Sequence, residues 1–198
     1  RSLAWETSGG LLRFRTDSPL LAIRAEYVCK TFNGNISVSG ASAFDIYTGR
    51  GARKKFCYAA IPKLNFRKSK FGPEQTFGFD SPLESVDFNL ENLFCLDQDE
   101  SAPIEVTINF PTYDGVKNIQ LGFVPGSEIL PPSQFKYPDP IGFYGSSITQ
   151  GGCASRPGNA YTNILGRRMD APVLNFGFSG SGRGEPAVAR AIAELKMT

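Results

Sequence analysis

The chain has 198 residues, room for one large domain or two small ones, and a hydrophobic share of 41% is enough to build ordinary buried cores. With 21 Lys and Arg against 19 Asp and Glu, the formal charge of +2 is too weak a field to argue for nucleic acid or an anionic membrane as partner. No apolar run approaches the roughly 20 residues of a membrane span, and the complete absence of histidine excludes any mechanism that draws an imidazole base from these residues alone.

The aromatic load of 16 Phe and 7 Tyr against 2 Met suits pleated surfaces and predicts a β-rich fold with a small, late helical share. Period-two patterning runs through the first 137 residues. Residues 20–28, 43–47 and 54–60 read as short strands, and 86–90 alternates strictly. Over 104–110, Ile104, Val106, Ile108 and Phe110 alternate with Glu105, Thr107 and Asn109, and Ile119, Leu121 and Phe123 repeat the pattern beyond Tyr113-Asp114-Gly115. That last pair reads as a hairpin. With turn residues at 33–35, 49–51, 71–73 and 81–82 and no convincing helix, residues 1–137 are expected to form a β-sandwich of jelly-roll type. The basic clusters at 50–55 and 67–70 lack the interleaved aromatics that stack single-stranded bases, so they read as solvated turns.

Cys29, Cys57, Cys95 and Cys153 are widely spaced without a C-x-x-C pattern; no zinc site is expected, and buried free thiols are the first reading, with one or two disulfides as the alternative. Four prolines between 131 and 140 cannot sustain a ladder and predict a stiff extended linker. Beyond it the period changes. A short strand at 141–144, a helix at 159–168, a second strand at 172–176, a glycine-rich loop at 177–184 and a helix over 185–196 are the opening of a doubly wound parallel sheet. Only two of its strands are in the sequence, so residues 138–198 form a partial α/β domain.

In such sheets ligands bind beyond the carboxyl ends of the strands, which places the loops 145–152 and 177–184 side by side. Gly145-Ser146-Ser147 ends the first strand and leads into a Thr-Gln-Gly-Gly turn, the way a nucleophilic hydroxyl is commonly displayed. Ser147 is therefore the candidate nucleophile, with its own N–H and that of Gly180 as oxyanion donors. The competing reading has Ser146 and Ser147 cap the following helix or simply fill a turn. Arg156 is a candidate contact for an anionic group on the substrate, or else a pin for its own loop. Asp45 and Tyr47 are candidates for a sugar-contacting patch, though strand alternation with Phe44 and Ile46 produces the same pattern.

Gly145-Ser146-Ser147-Ile148, followed after a helix and a strand by Asn175-Phe176-Gly177-Phe178-Ser179-Gly180, resembles the first two sequence blocks of the SGNH (GDSL-like) hydrolases. The resemblance implies Ser147 as catalytic serine and Gly180 as oxyanion glycine; Ser146 stands where the commoner pattern has aspartate. Ala43-Phe44-Asp45-Ile46-Tyr47 and the run from Phe110 to Val116 are similar to the jelly-roll domain of G-x-D-L-Y type that precedes some bacterial SGNH hydrolases. These matches imply a jelly roll ahead of the first β-α-β-α part of a flavodoxin-like catalytic domain.

The resemblance further implies a serine esterase without cofactor or metal, acting on acylated carbohydrate or another small ester. It would be secreted or periplasmic in a bacterium, its signal peptide removed ahead of Arg1. The family's block III Asn and its Asp-x-x-His have no counterpart before Thr198, so the expectation is a fragment of a longer hydrolase, with an inactive degenerate protein as the alternative. A non-catalytic glycan-binding β-sandwich is the contrasting functional class. A homo-oligomer formed through the uncovered α/β segment is a further expectation.

Overall fold

A computed structural model describes residues 2–28, 35–62, 89–96 and 103–197. Its elements are β1 (Leu11–Thr16), β2 (Leu20–Tyr27), α1 (Val38–Ala41), β3 (Phe44–Thr48), β4 (Lys55–Ala60), β5 (Asn89–Cys95), β6 (Ile104–Asn109), β7 (Val116–Phe123), β8 (Ile129–Leu130), β9 (Ile141–Gly145), α2 (Ser147–Gln150), α3 (Tyr161–Met169), β10 (Val173–Gly177) and α4 (Pro186–Ala193). A five-stranded antiparallel sheet in the order β4-β3-β6-β1-β8 faces a three-stranded antiparallel sheet β5-β2-β7, and β9 and β10 pair in parallel. The expected architecture, a β-sandwich followed by the first part of an α/β fold, is what forms.

The sandwich core follows from alternation. Phe14, Phe44, Ile46, Val106 and Ile108 from the larger sheet meet Leu21, Ile23, Ala25, Leu90 and Phe94 from the smaller one in a single apolar cluster. Phe14 and Phe123 join the two layers edge to face, with ring centroids 5.5 Å apart. Each such side chain contributes roughly 2 kcal/mol or more by leaving water. The outer face of the small sheet is wet, and its Arg24–Glu91 pair at 2.6 Å lies exposed, where an ion pair adds little.

The outer face of the large sheet is not wet, and this corrects the reading of residues 104–110. Glu105, Thr107 and Asn109 were read as the strand's polar side, yet all three are buried. Linker 131–140 and the α/β segment lie over them as a third layer. Glu105 pairs with Arg13, whose guanidinium donates to the Ser133 carbonyl at 2.9 Å and sits 3.8 Å from the Phe135 ring centre. Asn109 donates to Asp45 at 2.8 Å. The linker is tied down along its middle, with Arg50 donating to the Gln134 carbonyl at 3.0 Å and Tyr137 N–H to the Asp170 carbonyl at 3.2 Å.

Other expectations are corrected. β6 and β7 are not a hairpin: β6 pairs with β1 and β3, whereas β7 pairs with β2 in the opposite sheet. Tyr113 and Asp114, read as part of a hairpin turn, are buried together with Thr112 in a crossover that anchors other segments. Asp45 and Tyr47 are fully enclosed and cannot form a sugar patch. Cys95 and Cys153 are exposed free thiols rather than buried ones, and Cys57 is partly buried; Cys29 lies outside the described residues. So do Val86 to Phe88, the turns at 71–73 and 81–82, and the basic cluster at 67–70. β1, β8 and the one-turn helix α1 were not read from the sequence.

Asp45 ties the α/β segment to the sandwich. Its carboxylate accepts the Gly158 N–H at 2.8 Å and lies 3.4 Å from Arg156 Nε, while Arg167 lies over the Tyr47 ring at 4.3 Å. The Asp45 carboxyl is held above its usual range, at about 6, by burial first, against the lowering pull of Asn109, the Gly158 amide, Arg156 and Arg167. A group raised in this way favours the folded state most below its unfolded pKa and loses that contribution as pH rises through its folded one. Asp45→Asn abolishes this titration. The variant's stability relative to wild type is therefore expected to rise by about 3 kcal/mol between about pH 4 and pH 7, measured by urea unfolding at each pH. A constant difference would show that the carboxylate stays charged throughout.

Candidate active site

The site is built where β9 and β10 end. Their parallel register runs from Val173 opposite Ile141 to Gly177 opposite Gly145, so both strands release their chains at the same level. After Gly145 the chain turns at once into α2, with Ser147 at its first helical position, and Gly151 closes the turn at φ 116°. Ser146 occupies the N-cap position but makes no side-chain cap bond. Ser146 thus caps α2 by position and not through its side chain. Ser147 is partly exposed, and a first-turn residue's N–H has no intrahelical acceptor.

The two loops lie against each other, as expected. Phe178 N–H donates to the Gly145 carbonyl at 2.9 Å. A Cβ on Gly177 would fall 2.1 Å from Gln150 N, and one on Gly182 would fall 2.5 Å from Gly145 O, so glycine is what allows this packing. Gly180 is different: a Cβ there would meet nothing within 4 Å, but its φ of +69° is the left-handed region that glycine enters freely. It is exposed in the loop that follows β10.

Buried and half-buried polar side chains hold the loops. Asn175 donates to the Thr149 carbonyl at 2.8 Å and accepts the Gly177 N–H at 2.8 Å. Gln150 accepts the Ser179 N–H at 2.9 Å. Tyr113, from the β6–β7 crossover, donates to the Ser147 carbonyl at 3.4 Å, and burial pushes its phenol up. Glu6, beside Gln150, is likewise raised by burial. None of these supporting residues was singled out in the sequence. Asn175 and Gln150 stand inside the two motif stretches, so their proximity to Ser147 and Gly180 was the available signal; Glu6 and Tyr113 gave none.

Arg156 faces the sandwich. Besides Asp45 it donates to the Tyr47 hydroxyl at 3.4 Å and lies 4.0 Å from the Phe56 ring centre, a set of contacts that pins its loop. The residues resembling the jelly-roll signature, Asp45 and Tyr47, are thus the receptor for the loop that follows α2.

Residues 1–129 match the GxDLY family, described as the N-terminus of SGNH-hydro-type esterases. The chain belongs to this family. Residues 138–198 of this GxDLY-family chain also match the GDSL-like lipase/acylhydrolase family. Among solved structures it is similar to a GDSL-like lipase from Bacteroides ovatus, with TM-score 0.78 and 25% identity over 98% of this chain. It also shares its fold with a salicylyl-acyltransferase from a tetracycline biosynthetic pathway, with TM-score 0.66 and 20% identity over 99% of this chain. The chain spans 50% and 48% of those two proteins. No functionally curated protein matches it.

The loop packing makes a differential prediction. Gly177→Ala must separate two backbones and is expected to destabilise the GxDLY-family chain by about 3 kcal/mol. Gly180→Ala only strains one residue, at about 1 kcal/mol. Urea unfolding of both variants measures the gap, and equal losses would contradict the described contact between the loops.

Proposed function

We propose that the protein carrying this chain is a serine esterase that removes short acyl groups, acetyl first among them, from carbohydrate. The observation that carries the reading is the display of Ser147 on a tight turn after a parallel strand, with the Gly180 loop braced beside it. Ser147 Oγ attacks the ester carbonyl, and the carbonyl oxygen becomes an oxyanion received by the N–H groups of Ser147 and Gly180. Collapse of that intermediate expels the alcohol, which takes up a proton. Water then attacks the acyl-serine, releasing the carboxylic acid and restoring Ser147 Oγ–H.

The 198 residues contain no histidine. The general base, and a side-chain oxyanion donor of asparagine type, are assigned to the part of the protein outside them. Exposed Ser146, Ser181 and Arg183 around the loops suit a hydroxyl-rich leaving alcohol. Ile148, 64% exposed one residue beyond the nucleophile, offers a small apolar contact for the acyl group. Among the described residues no helix is long and apolar enough to cross a membrane. We assign the protein to the bacterial periplasm or exterior, where acylated polysaccharide is met.

The test is made on the full-length protein. A fluorophosphonate is expected to label Ser147 and to leave Ser147→Ala unlabelled, and acetate release from acetylated xylan oligosaccharides is expected to fall at least about 10³-fold in that variant. Labelling at another residue, or none, would refute the nucleophile. Labelling without acetate release from any acetylated sugar would refute the substrate class alone.

A further inference from the structure

We propose that Gln150 is a positioning residue that sets the oxyanion loop, and that Glu6 of the sandwich domain braces it; the proposal rests on the esterase reading above. Gln150 is 1% exposed, three residues after Ser147 at the end of α2. Its carboxamide joins three chain segments. Nε2 donates to the Glu6 carboxylate and to the Thr112 carbonyl at 3.0 Å, and Oε1 accepts the Ser179 N–H at 2.9 Å. The partners fix which end is which, because a carboxylate and a carbonyl only accept and an amide N–H only donates.

The brace is itself anchored. Thr7 Oγ1 donates to the Pro111 carbonyl at 3.0 Å, and Ser8 Oγ donates to the Gln150 carbonyl, so residues 6–8 grip both the β6–β7 crossover and α2. Ser179 directly precedes Gly180, which lies at φ +69° with open space around it. The Gly180 N–H belongs to the Ser179–Gly180 peptide, the middle of a turn closed by Ser181 N–H donating to the Phe178 carbonyl at 2.9 Å. The Gln150 bond holds the Phe178–Ser179 peptide from which that turn starts, and so sets the turn's orientation against α2. A buried carboxamide satisfied from three sides specifies one loop geometry, whereas an apolar side chain of the same size would fill the space without orienting the amide. The nucleophile and the oxyanion donor are therefore registered to each other through a residue of the nucleophile's own helix.

The experiment measures kcat and KM on p-nitrophenyl acetate in the full-length protein, normalised to the end-point fraction of Ser147 labelled by fluorophosphonate. Gln150→Leu is expected to lower kcat per labelled site roughly 10- to 100-fold with KM within about twofold, as a displaced oxyanion donor should. Glu6→Ala is expected to lower it about 3- to 10-fold, and Glu6→Gln, whose side-chain oxygen still accepts from Gln150, to recover most of that loss. If the labelled fraction falls while kcat per labelled site holds, Gln150 is only structural and the proposal fails. Should Gln150→Leu not fold, the Glu6 pair decides: equal rates per labelled site for Ala and Gln overturn the brace. A wild-type protein that does not label at Ser147 overturns the esterase reading itself, and this proposal with it.

Discussion

The arrangement depends on one enclosed carboxylate. Asp45 sits on the outer face of the five-stranded sheet without solvent contact, where an unpaired charge would be strongly destabilising. It is tolerable only when Asn109 from the next strand, the Gly158 amide and the Arg156 guanidinium are all in place. Two of these come from the α/β segment. The turn at 157–159 is consequently held against β3, α3 starts from that turn, and β10 follows α3 back to pair with β9. A chain of contacts thus runs from a sandwich strand to the position of the Gly180 loop. The Arg13–Glu105 pair under Phe135 does the same for the linker. The sandwich and the α/β segment are joined layers rather than two bodies on a tether.

What was legible in the sequence follows from what produces periodic signal. Strands with one face on the sandwich core, such as 20–28 and 43–47, were readable because apolar residues recur every second position. The parallel pair and the two longer helices of the α/β segment, α3 and α4, were readable from the change of period and from glycine, whereas α2 was read as a turn. The hairpin reading of β6 and β7 failed because a turn-like triplet, Tyr113-Asp114-Gly115, does not reveal whether the chain stays in its sheet. Here the triplet crosses between sheets, and Tyr113 is buried there with its hydroxyl on the Ser147 carbonyl. The outer face of β6 was misjudged for a related reason. Polar residues alternate identically whether they meet water or a third layer that satisfies them. Glu105, Asn109 and Asp45 show that the second case is built from charge pairs and amide contacts distant in sequence, which no local pattern encodes.

The candidate site divides in the same way. Ser147 and Gly180 stood out because a displayed hydroxyl and a left-handed amide require particular residue types in particular turns. Gln150, Glu6 and Tyr113 did not, since a supporting contact can be made by any polar group of the right length. Their partners lie 144 residues away for Glu6 and Gln150, and 34 for Tyr113 and Ser147.

This division has a physical origin. Loops that must pass within backbone contact of each other, as at Gly177 and Gly182, can carry no side chains there, and glycine makes them conformationally loose. The order they need has to be supplied from outside, by buried or half-buried polar side chains that each fix one peptide: Asn175 that of Gly177, Gln150 that of Ser179. In turn those side chains need rigid partners. The sandwich supplies them through Thr112, Tyr113 and the segment 6–8. A sandwich that only delivered the protein to glycans would not need to place its signature residues Asp45 and Tyr47 inward. Their burial against the Arg156 loop argues that the β domain is the rigid half of the candidate site, on which a glycine-rich half is cast.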